Sequence, residues 1–180
     1  MYRKNFRKVL AAVVMIFSVF LLGGAATVAK AATTPYPNDP TVNNAISTAA
    51  NNQLTPTIAS DGSGGAIITW QDLRSGTADI YAQRINASGV VQWTADGVAI
   101  STAANSQSSP TIVSDGSGGA IITWNDFRND VSNSDVYAQR INASGVVQWT
   151  ADGVAITTER VHGIYPPQIV SDGSGGAIIA

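Results

Sequence analysis

The stretch SDGSGGAIITW, Ser60 to Trp70, recurs letter for letter from Ser114 to Trp124 and begins a third time at Ser171. A glycine-rich turn that tolerates positive φ leads into a run rich in β-branched residues, which is the pattern of a tight turn entering a strand. Ala66, Ile68 and Trp70 alternate with Ile67, Thr69 and Gln71. Both sets carry apolar side chains, so the strand requires cover on its two faces. Repetition settles the architecture before local detail does, because units of this kind bury their faces against their neighbours.

Asp61 recurs at Asp115 and Asp172, 54 and then 57 positions further on, and YAQRINASGVVQWTADGVAI at Tyr81 to Ile100 is repeated unchanged at Tyr137 to Ile156. The length differences lie between Trp124 and Tyr137 and between Ile156 and Asp172, and both are expected in loops. Within a unit, TPTIAS (55–60), AIITWQ (66–71) and DIYAQRIN (79–86) read as strands. The turn NASG leads into a further strand, VVQW, and Asp96-Gly97 marks a bend before VAIS. No helical period follows the N-terminal segment. The expected fold class is all-β, built from β-propeller-like four-stranded antiparallel blades of roughly fifty residues.

Two full and two partial repeats are expected within residues 41–180, with blade units at 54–100 and 109–156 and a partial one at 166–180. VNNAISTAANNQ (42–53) matches DGVAISTAANSQ (96–107) and reads as the last strand of a preceding blade. Propellers close with about four to eight blades. The expectation is therefore a fragment of a longer propeller, with assembly of short chains into one ring as the second explanation. A parallel β-helix has shorter rungs without hairpins, and two near-identical halves do not make the Greek key of an immunoglobulin sandwich.

The N-terminus reads as a signal peptide over residues 1–31, followed by a linker at 32–40. Arg3, Lys4, Arg7 and Lys8 precede the apolar or small run Val9 to Leu22, and Ala29-Lys30-Ala31 fits a small-x-small cleavage site. An uncleaved anchor is the rival reading, since Val9 to Val28 approaches the ~20 residues that cross a bilayer. No later segment is apolar for long enough to span. Beyond residue 31 the chain keeps five Arg, no Lys and all twelve acids, a net charge of −7. That sign and the dispersed arginines argue against nucleic acid as a partner. With no cysteine there is neither a disulfide nor a thiol ligand.

The pattern W-x-D-x-R, D-[IV]-Y-A-Q-R-I-N-x-x-G, W, G-V-A-I and P-x-I-x-S-D-G-x-G-G resembles the tandem propeller-like repeats of bacterial secreted and surface proteins. It is carried here by Trp70, Asp72, Arg74, Asp79, Tyr81, Gln83, Arg84, Asn86, Gly89, Trp93, Gly97, Pro56, Asp61, Gly64 and Gly65, and covers the chain from about Val42 onward. The resemblance implies an extracytoplasmic binding or scaffold module, not an enzyme, with a carbohydrate or a surface protein as partner. Alternatives are a glycan-active propeller with catalytic residues in other blades, and a lectin-like homo-oligomeric ring. The sialidase Asp-box does not fit, because Ala59 stands where its serine belongs and Trp70 lies too far beyond Asp61.

Trp70, Asp72 and Arg74, echoed by Trp124, Asp126 and Arg128, occur once per unit. They read as structural, with Trp between blades and Asp and Arg tying the following loop. The Asp-Gly-Ser-Gly-Gly turns offer one carboxylate each and read as turns; Asp130, Asn133 and Asp135 make a better oxygen cluster, though a calcium site is not expected there. Neither cofactor nor metal is expected elsewhere. The sequons at Asn86 and Asn142 read as turn residues. In ERVHGIY, which replaces AANSQSS of the preceding unit, Arg160, His162 and Tyr165 are the candidate ligand-binding residues, because differing loops on identical repeats are where a ligand is distinguished.

Overall fold

Turn chemistry sets the element order. The structure is a computed structural model that describes residues 44–161 and 165–180, with 158–161 described by backbone alone. The expected signal segment, the linker and His162 lie outside the described residues. The chain forms β1 (Gln53–Ser60), β2 (Ala66–Asp72), β3 (Asp79–Ile85), β4 (Val98–Ser101), β5 (Gln107–Ser114), β6 (Ala120–Asp126), β7 (Ser134–Ile141), β8 (Val154–Val161), β9 (Ile169–Ser171) and β10 (Ala177–Ile179). The described residues are all-β. β1 to β4 form one antiparallel sheet in sequence order, β5 to β8 a second, and β9 and β10 a hairpin. These sheets do not close a ring.

The register is the same in both sheets. Trp70 stands opposite Tyr81 and Ala66 opposite Ile85, as Trp124 stands opposite Tyr137 and Ala120 opposite Ile141. The first strand of each sheet carries a bulge at its proline, between Leu54 and Thr57 and between Ser108 and Thr111. Pro56 and Pro110 lack the N–H a ladder needs, and the residues before them, Thr55 and Ser109, adopt φ of 47° and 55°.

Two expectations need correction. VVQW is not a strand: after the NASG turn, Val91 makes a single bridge to Ile85, and Val147 one to Ile141. The chain then leaves the edge of β3 and returns as β4. Gln83 explains the excursion. Its fully buried side chain donates from Nε2 to Thr94 O at 2.8 Å and accepts at Oε1 from the N–H groups of Trp93 and Arg84 at 3.0 Å. A buried amide satisfied by the loop itself replaces the ladder that the strand would have made. The second correction concerns the later length difference: β8 runs eight residues against four in β4, and Val161 pairs with Ser134, so extra chain enters the sheet edge.

The core lies between the two sheets. Ile67, Ile80, Ala82 and Ile100 of the first meet Ala120, Ile122, Trp124, Tyr137 and Ile141 of the second. By the register, Ile67 and Ile80 occupy the face of sheet one opposite to Ile68 and Trp70, whereas Ile122 and Trp124 occupy the face of sheet two equivalent to Ile68 and Trp70. Unlike faces therefore meet, as they do when identical units stack in one direction. The hairpin of β9 and β10 continues that stacking. Thr57 Oγ1 donates to Pro110 O at 3.3 Å, and Thr111 Oγ1 donates to Pro167 O at 3.0 Å.

Candidate functional site

The Trp-Asp-Arg set is spent on structure in each unit. β2 ends at Asp72, which is fully buried, and its carboxylate accepts from Trp70 Nε1 at 2.7 Å, from the Arg74 N–H and Nε at 2.9 Å, and from Arg74 Nη2 at 2.6 Å. The guanidinium goes on to donate to Asp96 O at 2.7 Å and lies 3.9 Å from the centroid of the Tyr81 ring. Trp124, Asp126, Arg128, Asp152 and Tyr137 repeat the arrangement. Burial pushes the Asp72 carboxyl upward, but the Arg74 guanidinium, the Trp70 indole N–H and the Arg74 backbone N–H outweigh it and hold the group below the ordinary aspartate value. Gly97 completes the box: at φ 90° it lets the chain pass against Trp70, where a Cβ would stand 2.6 Å from Cη2.

At the opposite end of the sheet, Asp61 Oδ1 accepts the N–H groups of Ser63 and Gly65, both at 2.8 Å, while Oδ2 accepts Arg84 Nη2 at 2.8 Å. The turn carboxylate accepts amides on one oxygen and a guanidinium on the other, and so ties the turn to β3. The sequence names Arg84 only as part of the repeat pattern and gives it no partner, because Asp61 lies 23 residues away in the chain. Arg84 Nη1 donates to Ala143 O at 3.1 Å, and Trp93 Nε1 donates to the same carbonyl at 3.1 Å. Two donors from the first unit thus converge on the NASG turn of the second. The sequons act in these turns: Asn86 Oδ1 accepts from the N–H of Ser88 and Val90, and Asn142 Oδ1 from Ser144 and Val146.

The candidate ligand-binding residues are not brought together by the described structure. Tyr165 is exposed, and its carbonyl accepts from Asn125 Nδ2 at 3.0 Å. Arg160 lies on β8 with only its backbone described, and His162 lies outside the described residues. The oxygen cluster is occupied by donors: Asn133 Nδ2 donates to Asp130 Oδ2 at 3.0 Å, and Asn129 Nδ2 to Asp135 Oδ2 at 2.8 Å. The concave feature where the repeats differ is a cleft of about 260 Å³ lined by Thr77, Asn105, Ser106, Phe127 and Val131. Val131, inside the insertion, is 74% exposed at its rim. Sequence reasoning located the insertion but weighed only its oxygens, and the apolar Phe127 and Val131 were the missed signal.

Asp79, buried at the start of β3, carries the one raised carboxyl among the described aspartates with a resolved shift. Burial raises it, the Ser75 hydroxyl bond at 2.7 Å opposes, and the Asp72 charge adds repulsion. A folded-state value above the unfolded ~3.9 means that ionisation of Asp79 costs stability as pH rises through that window, and that the cost is absent below it. Asp79→Asn is therefore expected to raise the thermal midpoint at neutral pH, with the gain shrinking as the pH falls toward about 4 and vanishing below it. A lower midpoint for the variant at neutral pH would show that the ionised carboxylate stabilises the fold.

Compared with protein-family models, curated proteins and solved structures, the chain matches none significantly.

Proposed function

We propose that this chain is an exported repeat protein whose β-propeller-like units stack as a scaffold, and that it binds through the cleft where the units differ. One observation carries the reading. Within each unit the buried tryptophan–aspartate–arginine set and the turn aspartate–arginine pair make the same bonds, so chemical individuality falls to the non-repeated loop that contributes Phe127 and Val131. Repeat proteins divide labour in this way, with a uniform core and variable loops on one face. A cleft with an apolar wall and the amide and hydroxyl of Asn105 and Ser106 suits the mixed surface of a carbohydrate ring or a short surface-protein segment. The N-terminal basic and apolar pattern supports export, and the tandem pattern resembles surface repeats.

The test expresses the full chain with its own N-terminus in a bacterial host, measures the intact mass of each cell fraction, and screens the exported product against a glycan panel for binding and turnover. Expected are an extracytoplasmic product lacking about the first 31 residues, saturable binding without turnover, and loss of that binding in Val131→Asp with the melt unchanged. A cytoplasmic product of full mass would overturn export. Hydrolysis of a glycan would replace the scaffold reading with the enzymatic one.

A further inference from the structure

The cleft at Phe127 and Val131 has a counterpart one unit earlier. Asn51, Asn52, Leu73 and Gly76 line a hollow of about 320 Å³, and the first three hold the positions that Asn105, Ser106 and Phe127 hold in the cleft of about 260 Å³. The same bonds frame both. The Leu73 N–H donates to Asn52 O at 3.0 Å, and the Phe127 N–H to Ser106 O at 2.9 Å. Asn51 and Asn105 stand at φ of 63° and 61° and donate from Nδ2 to the carbonyls of Leu73 and Phe127, each at 3.2 Å. Asparagine tolerates that left-handed backbone, and here its amide holds one loop against the next. The two hollows also adjoin. Leu73 and Gly76 line the first and Thr77 the second, so the loop between β2 and β3 is a wall common to both. Three bonds brace that wall: the Gly76 N–H to Leu73 O at 3.0 Å, Ser75 Oγ to Asp79 Oδ2 at 2.7 Å, and the Gln107 N–H to Ala78 O at 2.7 Å.

Charge and period restrict what can lie across that wall. Beyond residue 31 the chain has no lysine, and Arg74, Arg84, Arg128 and Arg140 are each paired with an aspartate. Neither hollow therefore offers a free cation from these side chains to an acidic ligand. Amides and hydroxyls beside the apolar Leu73, Phe127 and Val131 suit a neutral ligand that carries both hydroxyls and C–H faces. All of these residues stand in loops and not along a strand edge, so an extended peptide finds no ladder to join. The same chemistry met twice, one unit apart, asks for a ligand that itself repeats. Sheets packed face to face lie about 10 Å apart, a span that linked sugar rings cover and one ring does not. Resting on the reading that the Phe127–Val131 cleft binds, we propose that the two hollows are adjoining subsites for one neutral, linear polysaccharide laid over the 73–77 loop. Linked occupancy then multiplies two weak contacts into one useful affinity.

The probes are a soluble glucan, mannan, xylan and galactan, with size-fractionated oligosaccharides of each, titrated calorimetrically into the full chain beside polygalacturonate as the acidic control. For at least one neutral polymer, the six-ring oligosaccharide is expected to bind about tenfold or more tighter than its two-ring counterpart. Asn52→Arg fills the first hollow at an exposed position whose backbone carbonyl keeps its bond to Leu73. It is expected to abolish that length dependence, leaving two-ring binding and the melt unchanged. Val131→Asp is expected to weaken binding at both lengths. Equal affinity for two rings and six, an undiminished length dependence in Asn52→Arg, preference for polygalacturonate, or binding of none of the neutral polymers would overturn the proposal. The cleft reading fails separately. Binding indifferent to Val131→Asp would sink that reading, whereas a short glycan or peptide bound in a Val131-dependent way, with no effect of Asn52→Arg, would keep the cleft and remove the second subsite.

Discussion

Asp126→Ala is expected to cost about 3–5 kcal/mol of stability, read as a lower urea or thermal midpoint, because it strips the partner from a buried charge. Asp126 is fully buried, and its carboxylate accepts four donors: Trp124 Nε1 at 2.8 Å, the Arg128 N–H at 2.9 Å, Arg128 Nε at 2.8 Å and Arg128 Nη2 at 2.6 Å. Alanine leaves all four unanswered. The guanidinium cannot simply turn to solvent, since it also donates to Asp152 O at 2.6 Å and lies over the Tyr137 ring, with its side chain only 18% exposed. Asp126→Asn keeps the size and one acceptor oxygen, so its cost should fall between alanine and the parent. A loss below about 1 kcal/mol for alanine would place the pair among solvent-screened surface bridges and remove the box from the account of the fold.

What could be read in advance followed from strong local rules. The β2 and β6 strands were legible because alternation on both faces and the flanking glycines leave no helical option. The tie of Asp72 and Arg74 to the following bend is of the kind their recurrence suggested, whereas a tryptophan between units is seen for Trp124 and not for Trp70, which borders a hollow. What escaped depends on tertiary satisfaction. VVQW has every local feature of a strand, yet Gln83 at the facing edge turns its amide to Thr94 and Trp93 and captures the loop. Nothing in the period of VVQW encodes a glutamine ten residues earlier. The convergence of Arg84 and Trp93 on Ala143 escaped for a similar reason, because donors some fifty or more residues from their acceptor become neighbours only when one unit stacks on the next. The cleft depends on the same stacking. Thr77 belongs to the first unit and Phe127 to the second, and neither carries a signal of its own.

Trp124→Ala is expected to cost about 3–5 kcal/mol, and Trp70→Ala about 1–2 kcal/mol less, although the two indoles sit in matched surroundings within their own sheets. Each ring lies 6.5 Å from its tyrosine partner, donates to the aspartate two positions on, and is approached by the glycine of the following bend. These contributions nearly cancel in the comparison, much as shared terms cancel in a mutant cycle. What remains is the surface each indole's sheet face meets. Trp124 belongs to the joint core with Ile67, Ile80 and Ile100 of the first sheet, whereas Trp70 borders an open hollow of about 220 Å³ with Ile46, Pro56 and Ile68. In repeat proteins, stability divides into terms within units and terms between neighbours, so the difference between the two variants measures the neighbour term directly. Removing Trp124 should also uncouple the sheets, splitting one denaturation transition into two. Equal losses with a single transition would mean that each sheet's stability comes from within, and that the stacking seen between unlike faces holds the units in place without stabilising them.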